Sequence, residues 1–328
     1  YCSALTAVVM EGDAPTLGTD AFSDVAPGFA IYYQSGATGF TTPTWEGYPT
    51  TELTGQFGLF SYQAINGTEV EITDYPTDET GHVDIPADIL GLPVTSIGDA
   101  AFEYCSGLTS VTIPSSVERI GSYAFRGCSG LAGVTIPAGV TSIGDRAFLY
   151  CFRLTSISIA GTVTSIGDHA FDSCTGLTSI TIPAGVTSIG DGAFGNCSGL
   201  AWITADPASP VYSSFGGVLY NKLQTELVSF PAGIHGEGTI LSGVTSIGDW
   251  AFIYCDLLSS ITVDGGNPSY SSLDGVLFDK SQVTLIAYPG GYAPSYAIPP
   301  SVTNIGENAF LGCTSLTSVT IPSSVTSI

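Results

Sequence analysis

The stretch Leu108-Thr109-Ser110-Val111-Thr112-Ile113-Pro114, followed by Val117, Ile120-Gly121, Ala124-Phe125 and Cys128, decides the fold because it returns. Its leucine recurs as Leu131, Leu154, Leu177 and Leu200, and beyond two longer gaps as Leu258 and Leu316. Its Ala-Phe pair recurs at Ala101-Phe102, Ala147-Phe148, Ala170-Phe171, Ala193-Phe194, Ala251-Phe252 and Ala309-Phe310. The cysteines set the period. Cys105, Cys128, Cys151, Cys174 and Cys197 are 23 residues apart, and Cys255 and Cys313 follow at gaps of 58, which is 23 plus 35. A fixed period of this length marks a stacked-coil solenoid, in which no coil buries its own core and each is completed by its neighbours.

Within one coil, the alternation of apolar and polar residues up to Pro114 reads as a half-buried strand stopped by proline. Val-Thr-Ser-Ile-Gly reads as a second short extended piece turned by glycine. Asp99, Asp145, Asp168, Asp191 and Asp249, with Ser122, stand just before Ala-Phe. These are helix N-cap residue types, so a single helical turn carrying Ala and Phe inward is expected.

The full pattern, Leu-x-x-Val-x-Ile-Pro-x-x-Val-x-x-Ile-Gly-x-x-Ala-Phe-x-x-Cys, resembles the 23-residue BspA-like leucine-rich repeat of bacterial and some protist surface proteins. The resemblance covers residues 82–328 and, in part, 1–25. With the capped turn, it implies an α/β fold: a right-handed leucine-rich-repeat solenoid of short parallel strands with one-turn helices, β-rich caps and two β-hairpin insertions. It also implies an extracellular or cell-surface setting, and adhesion to a protein, host or matrix without catalysis. A structural stalk, or a carbohydrate-binding module of a larger secreted protein, is the alternative.

Three segments are expected. Residues 1–50 read as the last coil and C-terminal cap of a preceding array, since Cys2, Leu5, Val8, Leu17, Gly18, Ala21 and Phe22 fall in the repeat columns. Val25 stands where the next cysteine is due, and Tyr32, Tyr33, Phe40, Trp45 and Tyr48 depart from the pattern. Residues 51–81 read as a β-rich N-terminal cap or linker, with Asn66-Gly67 between two alternating runs as a hairpin signal. Residues 82–328 read as a second array that stops mid-coil, with insertions at about 204–238 and 262–296. The insertions are copies at offset 58: Tyr212, Gly217, Lys222 and Pro231 match Tyr270, Gly275, Lys280 and Pro289. Each reads as a hairpin, the first around Asn221-Lys222.

Composition excludes several classes of function. Six Lys+Arg face 29 Asp+Glu for a net charge of -23, and the first basic residue, Arg119, follows sixteen acids. Binding to nucleic acid is therefore not expected, because neutralising phosphates takes clustered cations. Only 11% of residues are charged while 44% are hydrophobic, which excludes acidic disorder and leaves Ser, Thr, Gly and Asn to cover the surface. No apolar run approaches the ~20 residues of a membrane-spanning helix, so no membrane insertion is expected in this segment. A monomer is expected.

No residue pattern nominates a catalytic site, a cofactor or a metal. Equivalent cysteines in stacked coils point the same way, which suits a buried row of free thiols better than a disulfide or a tetrahedral zinc site. His82, His169 and His235 are far apart and read as loop or solvated residues. Arg119, Arg126, Arg146 and Arg153 are the only arginines and are confined to adjacent coils. The candidate binding face is the outward side of the first strand, a row of hydroxyls interrupted by one indole. Its residues are Ser179, Thr181, Trp202, Thr204, Ser260 and Thr262, with Trp202 as an aromatic platform for a partner or sugar ring. The partner is expected to be a protein or a glycan.

Overall fold

The computed structural model describes residues 54–328 without a break. Of the first 53 it describes positions 3, 5, 7–10, 13–16, 22, 24–27, 29–33, 38–40, 44–45 and 48–52. The expectation placed on Cys2, Leu17, Gly18 and Ala21 lies outside the described residues.

The two extended pieces of each coil build two parallel ladders. Gly81–Asp84, Leu108–Thr112, Gly133–Ile136 and Ser156–Ile159 lie side by side. Ser179–Ile182 and Trp202–Ala205 pair in the same 23-residue register, Ser179 with Trp202 and Thr181 with Thr204. The second ladder runs through Glu69–Asp74, Leu92–Ile97, Arg119–Ile120, Ser142–Ile143, Ser165–Ile166 and Ser188–Ile189. Between them lies the core, where Leu131, Val117, Ile120, Ala124, Phe125 and Cys128 are all fully buried. Its centre is a column of stacked rings. Phe102, Phe125, Phe148, Phe171 and Phe194 follow one another at centroid distances of 5.0, 5.2, 5.4 and 5.9 Å. Tyr75 closes the column 5.1 Å above Phe102.

The expected one-turn helices are absent: among the described residues there is no helix, and the fold is a pure β-solenoid, not an α/β one. Hydrogen bonding around Ala101-Phe102 gives the reason. Ala101, Glu103 and Cys105 donate their N–H groups to Gly98, Ala100 and Phe102, three residues back. The alternate donors, Ala100, Phe102 and Tyr104, reach the carbonyls of Ser122, Ala124 and Arg126 in the next coil at 2.8, 2.7 and 2.6 Å. A helix keeps its donors within one segment; here every second one leaves for the neighbour. Ala100 and Tyr104 both sit at φ 60°, which ends any helical run. The third side of each coil is thus a chain of turns, laddered like the two sheets.

The aspartates are reassigned with it. Asp99 Oδ1 accepts from the backbone N–H of Ser122 at 2.8 Å, and Asp145 and Asp168 accept from Asp168 and Asp191 at 2.9 Å. They cap the coil below, not a helix of their own.

Each 58-residue gap holds two coils. In the first, Tyr212–Phe215 and Val218–Asn221 pair antiparallel around Gly216-Gly217, both at positive φ. Val218–Asn221 then pairs with Glu226–Ser229 around the expected turn. Glu226–Ser229 joins Ser246–Ile247 in parallel, taking the place of a second-ladder strand. Phe230 donates its N–H to the Ala251 carbonyl and stacks 5.2 Å from Phe252, so it fills the phenylalanine column. Gly236–Ile240 then pairs with Leu258–Val263 as a new first-ladder sheet. The second gap repeats all of this from Tyr270–Leu273 to Ser318–Thr320.

Near the start, Ala7–Met10 pairs parallel with Ala30–Tyr33 at the same offset of 23, and Leu5, Val8, Phe22 and Val25 pack around buried Phe29, Ile31 and Trp45. Phe60–Ile65 and Glu69–Asp74 form the expected hairpin, with Asn66 and Gly67 at φ 52° and 69°.

Candidate functional site

The strand register decides which candidate residues meet. Ser179, Thr181, Trp202 and Thr204 share one outward face on two adjacent strands. Ser260 and Thr262 do not join them. They lie on the next sheet fragment, opposite Glu237 and Thr239, where the Thr239 and Thr262 hydroxyls meet at 3.2 Å. What separates the fragments is the hairpin of the first gap. Ile203 donates its N–H to the Gly217 carbonyl at 2.9 Å, so the hairpin covers the free edge of Trp202–Ala205.

Trp202 rests on that hairpin. A Cβ added to Gly217, whose φ is +87°, would lie 3.2 Å from the indole Cε3 and 2.6 Å from the Ala201 carbonyl oxygen. Only glycine allows this approach. The outer face of the indole stays 57% exposed, and Phe215, two residues before Gly217, is 60% exposed. Sequence reasoning missed Phe215, which follows the hydroxyls Ser213 and Ser214 in a segment read only as a decoration.

His82 is not a loop residue; it lies in the first strand of the first ladder. Its Nδ1 is 2.7 Å from Ser110 Oγ and its Nε2 3.0 Å from Asp84 Oδ1, with Thr112 Oγ1 at 3.2 Å. Hydrogen bonds from His82 and then Thr112 hold the Asp84 carboxyl below its ordinary pKa. The group sits on an open strand face, with the Asp84 side chain 75% exposed. Water there competes for each partner, unlike the buried carboxylate that orients a catalytic histidine.

His169 is mostly withdrawn from solvent, its side chain 17% exposed. Its Nδ1 is 3.0 Å from Asp172 Oδ2, and its ring meets the edge of Trp250 at 5.3 Å. Ser173 Oγ donates to the same carboxylate and not to the imidazole, so the trio contains no activated hydroxyl. Of the arginines, Arg126 pairs with Glu103 at 2.8 Å between the rings of Tyr104 and Tyr123, and Arg119 pairs with Asp99 at 2.7 Å. Two of the four arginines are thus paired with carboxylates within the rod.

The described cysteines, Cys105 to Cys313, are free, and all but Cys313 are buried. Each thiol points at a carbonyl in the coil before; Cys128, Cys151, Cys174 and Cys197 reach those of Phe102, Phe125, Phe148 and Phe171 at 3.0 to 3.2 Å. Burial pushes the Cys105 thiol up to about 11 and holds those of Cys128, Cys174, Cys197 and Cys255 well above the ordinary value. Among the described residues no three or more His, Cys, Asp or Glu side chains gather as metal ligands do.

A stack of parallel, two-ladder coils with leucine, phenylalanine and cysteine columns defines a leucine-rich-repeat solenoid. The BspA type leucine rich repeat region matches residues 95–209 and 291–328 in six copies, and over these residues the chain is similar to that family. No curated protein matches the chain. Among solved structures, a leucine rich cell surface protein from Faecalibacterium prausnitzii is 27% identical, over 82% of this chain and 95% of its own, with a TM-score of 0.48. The leucine rich repeat protein of T. pallidum is 26% identical over 64% of this chain and 85% of its own, with a TM-score of 0.44. A leucine-rich repeat protein from Bacteroides ovatus is 23% identical over 84% and 90%, with a TM-score of 0.43.

Proposed function

We propose that this chain is the ligand-holding part of an extracellular or cell-surface repeat protein, and that it binds a protein partner of a host cell or matrix along its first-ladder face. In this reading residues 1–50 close one array, residues 51–81 introduce the next, and residues 82–328 present the binding surface. Similarity to the BspA type repeat supports the setting and the absence of catalysis. The observation that carries the binding face is Trp202. In the other copies of the leucine repeat its place is held by Ser110, Gly133, Ser156, Ser179, Ser260 and Ser318. His82 and Glu237 stand opposite Ser110 and Ser260 along the same ladder, so folding sets no demand on the outward side chain there, and an indole left 57% exposed adds little to the core. Trp is among the residues that carry most of the energy of protein interfaces.

The test is a protein and glycan array probed with the parent chain and with Trp202→Ala. The reading expects protein spots that Trp202→Ala weakens at least tenfold. Spots that ignore the substitution, or an array with no protein spot, would count against it.

A further inference from the structure

The two long gaps are internal copies, and the difference between them shows what one lacks. In the second copy the space between the hairpin and the next first-ladder strand is filled by tyrosines. Tyr288 and Tyr296 lie 5.0 Å apart, Tyr288 and Tyr292 5.6 Å, and Tyr292 and Tyr296 6.5 Å. Tyr292 reaches the hairpin turn, 3.6 Å from where a Cβ of Gly275 would stand. At offset 58 the first copy has Phe230, Ile234 and Gly238 in these three places. One ring remains and two are gone; Phe230 leans over Gly238, where an added Cβ would lie 2.8 Å from its Cζ, and the space left is on the Ile234 side.

The first copy accordingly holds a cavity of about 180 Å³, lined by Phe215, Tyr220, Phe230, Ile234 and Leu241, with Glu237 among its polar residues. An apolar cavity of about 150 Å³ is enough to take up benzene. The residues beside the opening differ between copies in the same sense. Phe215 and Trp202, both more than half exposed, stand at the open one, where the second copy has Leu273 and Ser260. Strand Gly236–Ile240, the cavity's far wall, pairs only with Leu258–Val263.

We propose that this cavity is the anchor pocket of the binding face, and that its occupant is a tyrosine or phenylalanine side chain from an extended segment of the partner polypeptide. The proposal rests on the strand-face reading and names the chemistry that face would take. The occupant is identified by the molecule itself, because the equivalent space is filled by the chain's own tyrosines. Trp202 and Phe215 then flank the segment, and the unpaired edge of Gly236–Ile240 offers it main-chain partners. Aromatic anchors seated in a pocket are the usual centre of such an interface.

The experiment uses N-acetyl-tyrosinamide, followed by ring-proton saturation transfer, and the capped peptide Gly-Ser-Tyr-Ser-Gly as competitor. The parent chain is expected to show one saturable site, at which the peptide competes at least tenfold better than the amide. Ile234→Tyr sets a ring where the second gap has Tyr292 and is expected to lose binding at least tenfold; Gly238 is left unchanged, because a Cβ there would lie 2.8 Å from Phe230 Cζ. Tyr292→Ile with Tyr296→Gly opens the second gap and is expected to raise the stoichiometry from one to two, so either variant alone gives a reading. No saturable binding to the parent, or undiminished binding to a folded filled variant, overturns the pocket. A peptide no better than the amide overturns a polypeptide occupant. Array spots that require Trp202 but ignore the filled variant sink this inference and leave the proposed function standing.

Discussion

Asp145 Oδ1 accepts a 2.9 Å hydrogen bond from the backbone N–H of Asp168, the residue that occupies its own place one coil later. Asp168 does the same for Asp191, so the carboxylates form a chain of caps running between coils. Removing one strands a backbone donor at a seam between repeats. Asp145→Ala should cost about 1 kcal/mol, the usual size of a lost cap, and Asp145→Asn close to nothing, because an amide oxygen caps about as well. Urea unfolding reads the loss, and amide exchange should quicken at Asp168 while Asp99 and Ser122 are unaffected. An Asp145→Ala chain as stable as the parent would show that water serves the Asp168 donor equally well.

The phenylalanine column makes a larger prediction. Phe148 is fully buried, with Phe125 5.2 Å above it and Phe171 5.4 Å below, both within 8° of parallel. Phe148→Ala should cost about 3–5 kcal/mol. Nearest-neighbour stability means the damage falls on contacts to both adjoining coils, so unfolding should split into two transitions at the gap. Phe252→Ala, which removes a ring that is only partly buried, should cost less. Calorimetry showing one undivided transition for Phe148→Ala would argue against coil-by-coil stability.

Much of this architecture was legible in the spacing of Leu, Phe and Cys, because core columns have to repeat for coils to stack. The two ladders follow from Ser-Val-Thr-Ile and Thr-Ser-Ile-Gly, and the Asn66-Gly67 hairpin from its turn residues. The helical turn was misread at the aspartates. A cap residue announces that it accepts a backbone proton, and composition does not say whether the donor belongs to its own coil or the next. His169 was misread for a related reason: its partners Asp172 and Trp250 come from one turn on and from a coil 81 residues away. The anchor cavity was within reach of sequence comparison. Gly238 opposite Tyr296 and Ile234 opposite Tyr292 are visible once the copies are aligned, but only the packing shows that both pairs face the same space.

Alkaline pH should unfold the protein earlier than its acidic composition suggests. Burial raises the thiols of Cys128, Cys174, Cys197 and Cys255 in the folded chain, while in the unfolded chain they ionise near the ordinary cysteine value. Between those values the native state holds more protons, so stability is whole below about pH 8.5 and falls as pH rises beyond it. The slope is about 1.4 kcal/mol per pH unit for each thiol kept fully protonated. Melting temperatures from pH 7 to 11 check this, and Cys128→Ala should flatten the fall. Thiol titration at pH 8 should find the buried cysteines slow in the native chain and fast in guanidinium; rapid native labelling would contradict it.

Three glycines separate close packing from mere turn preference. Gly144 has ordinary φ, yet an added Cβ would lie 2.6 Å from the Gly121 carbonyl carbon and the Ser122 nitrogen of the coil before. Both are backbone atoms and cannot swing aside. Gly144→Ala must push two coils apart, at about 1–3 kcal/mol by analogy with overpacked cores. Gly248 fills the same column after the first long gap, where the nearest atom is the Val228 carbonyl oxygen at 3.4 Å. Gly248→Ala should therefore be almost neutral. Gly161 has open space around its would-be Cβ and an ordinary φ, so Gly161→Ala should stabilise by about 0.4–1 kcal/mol through the unfolded chain. Denaturant midpoints should rank the variants Gly161→Ala, Gly248→Ala, Gly144→Ala from most to least stable. An equal effect at Gly144 and Gly248 would mean that the coils pack no more loosely after the long gap than before it, contrary to the geometry described above.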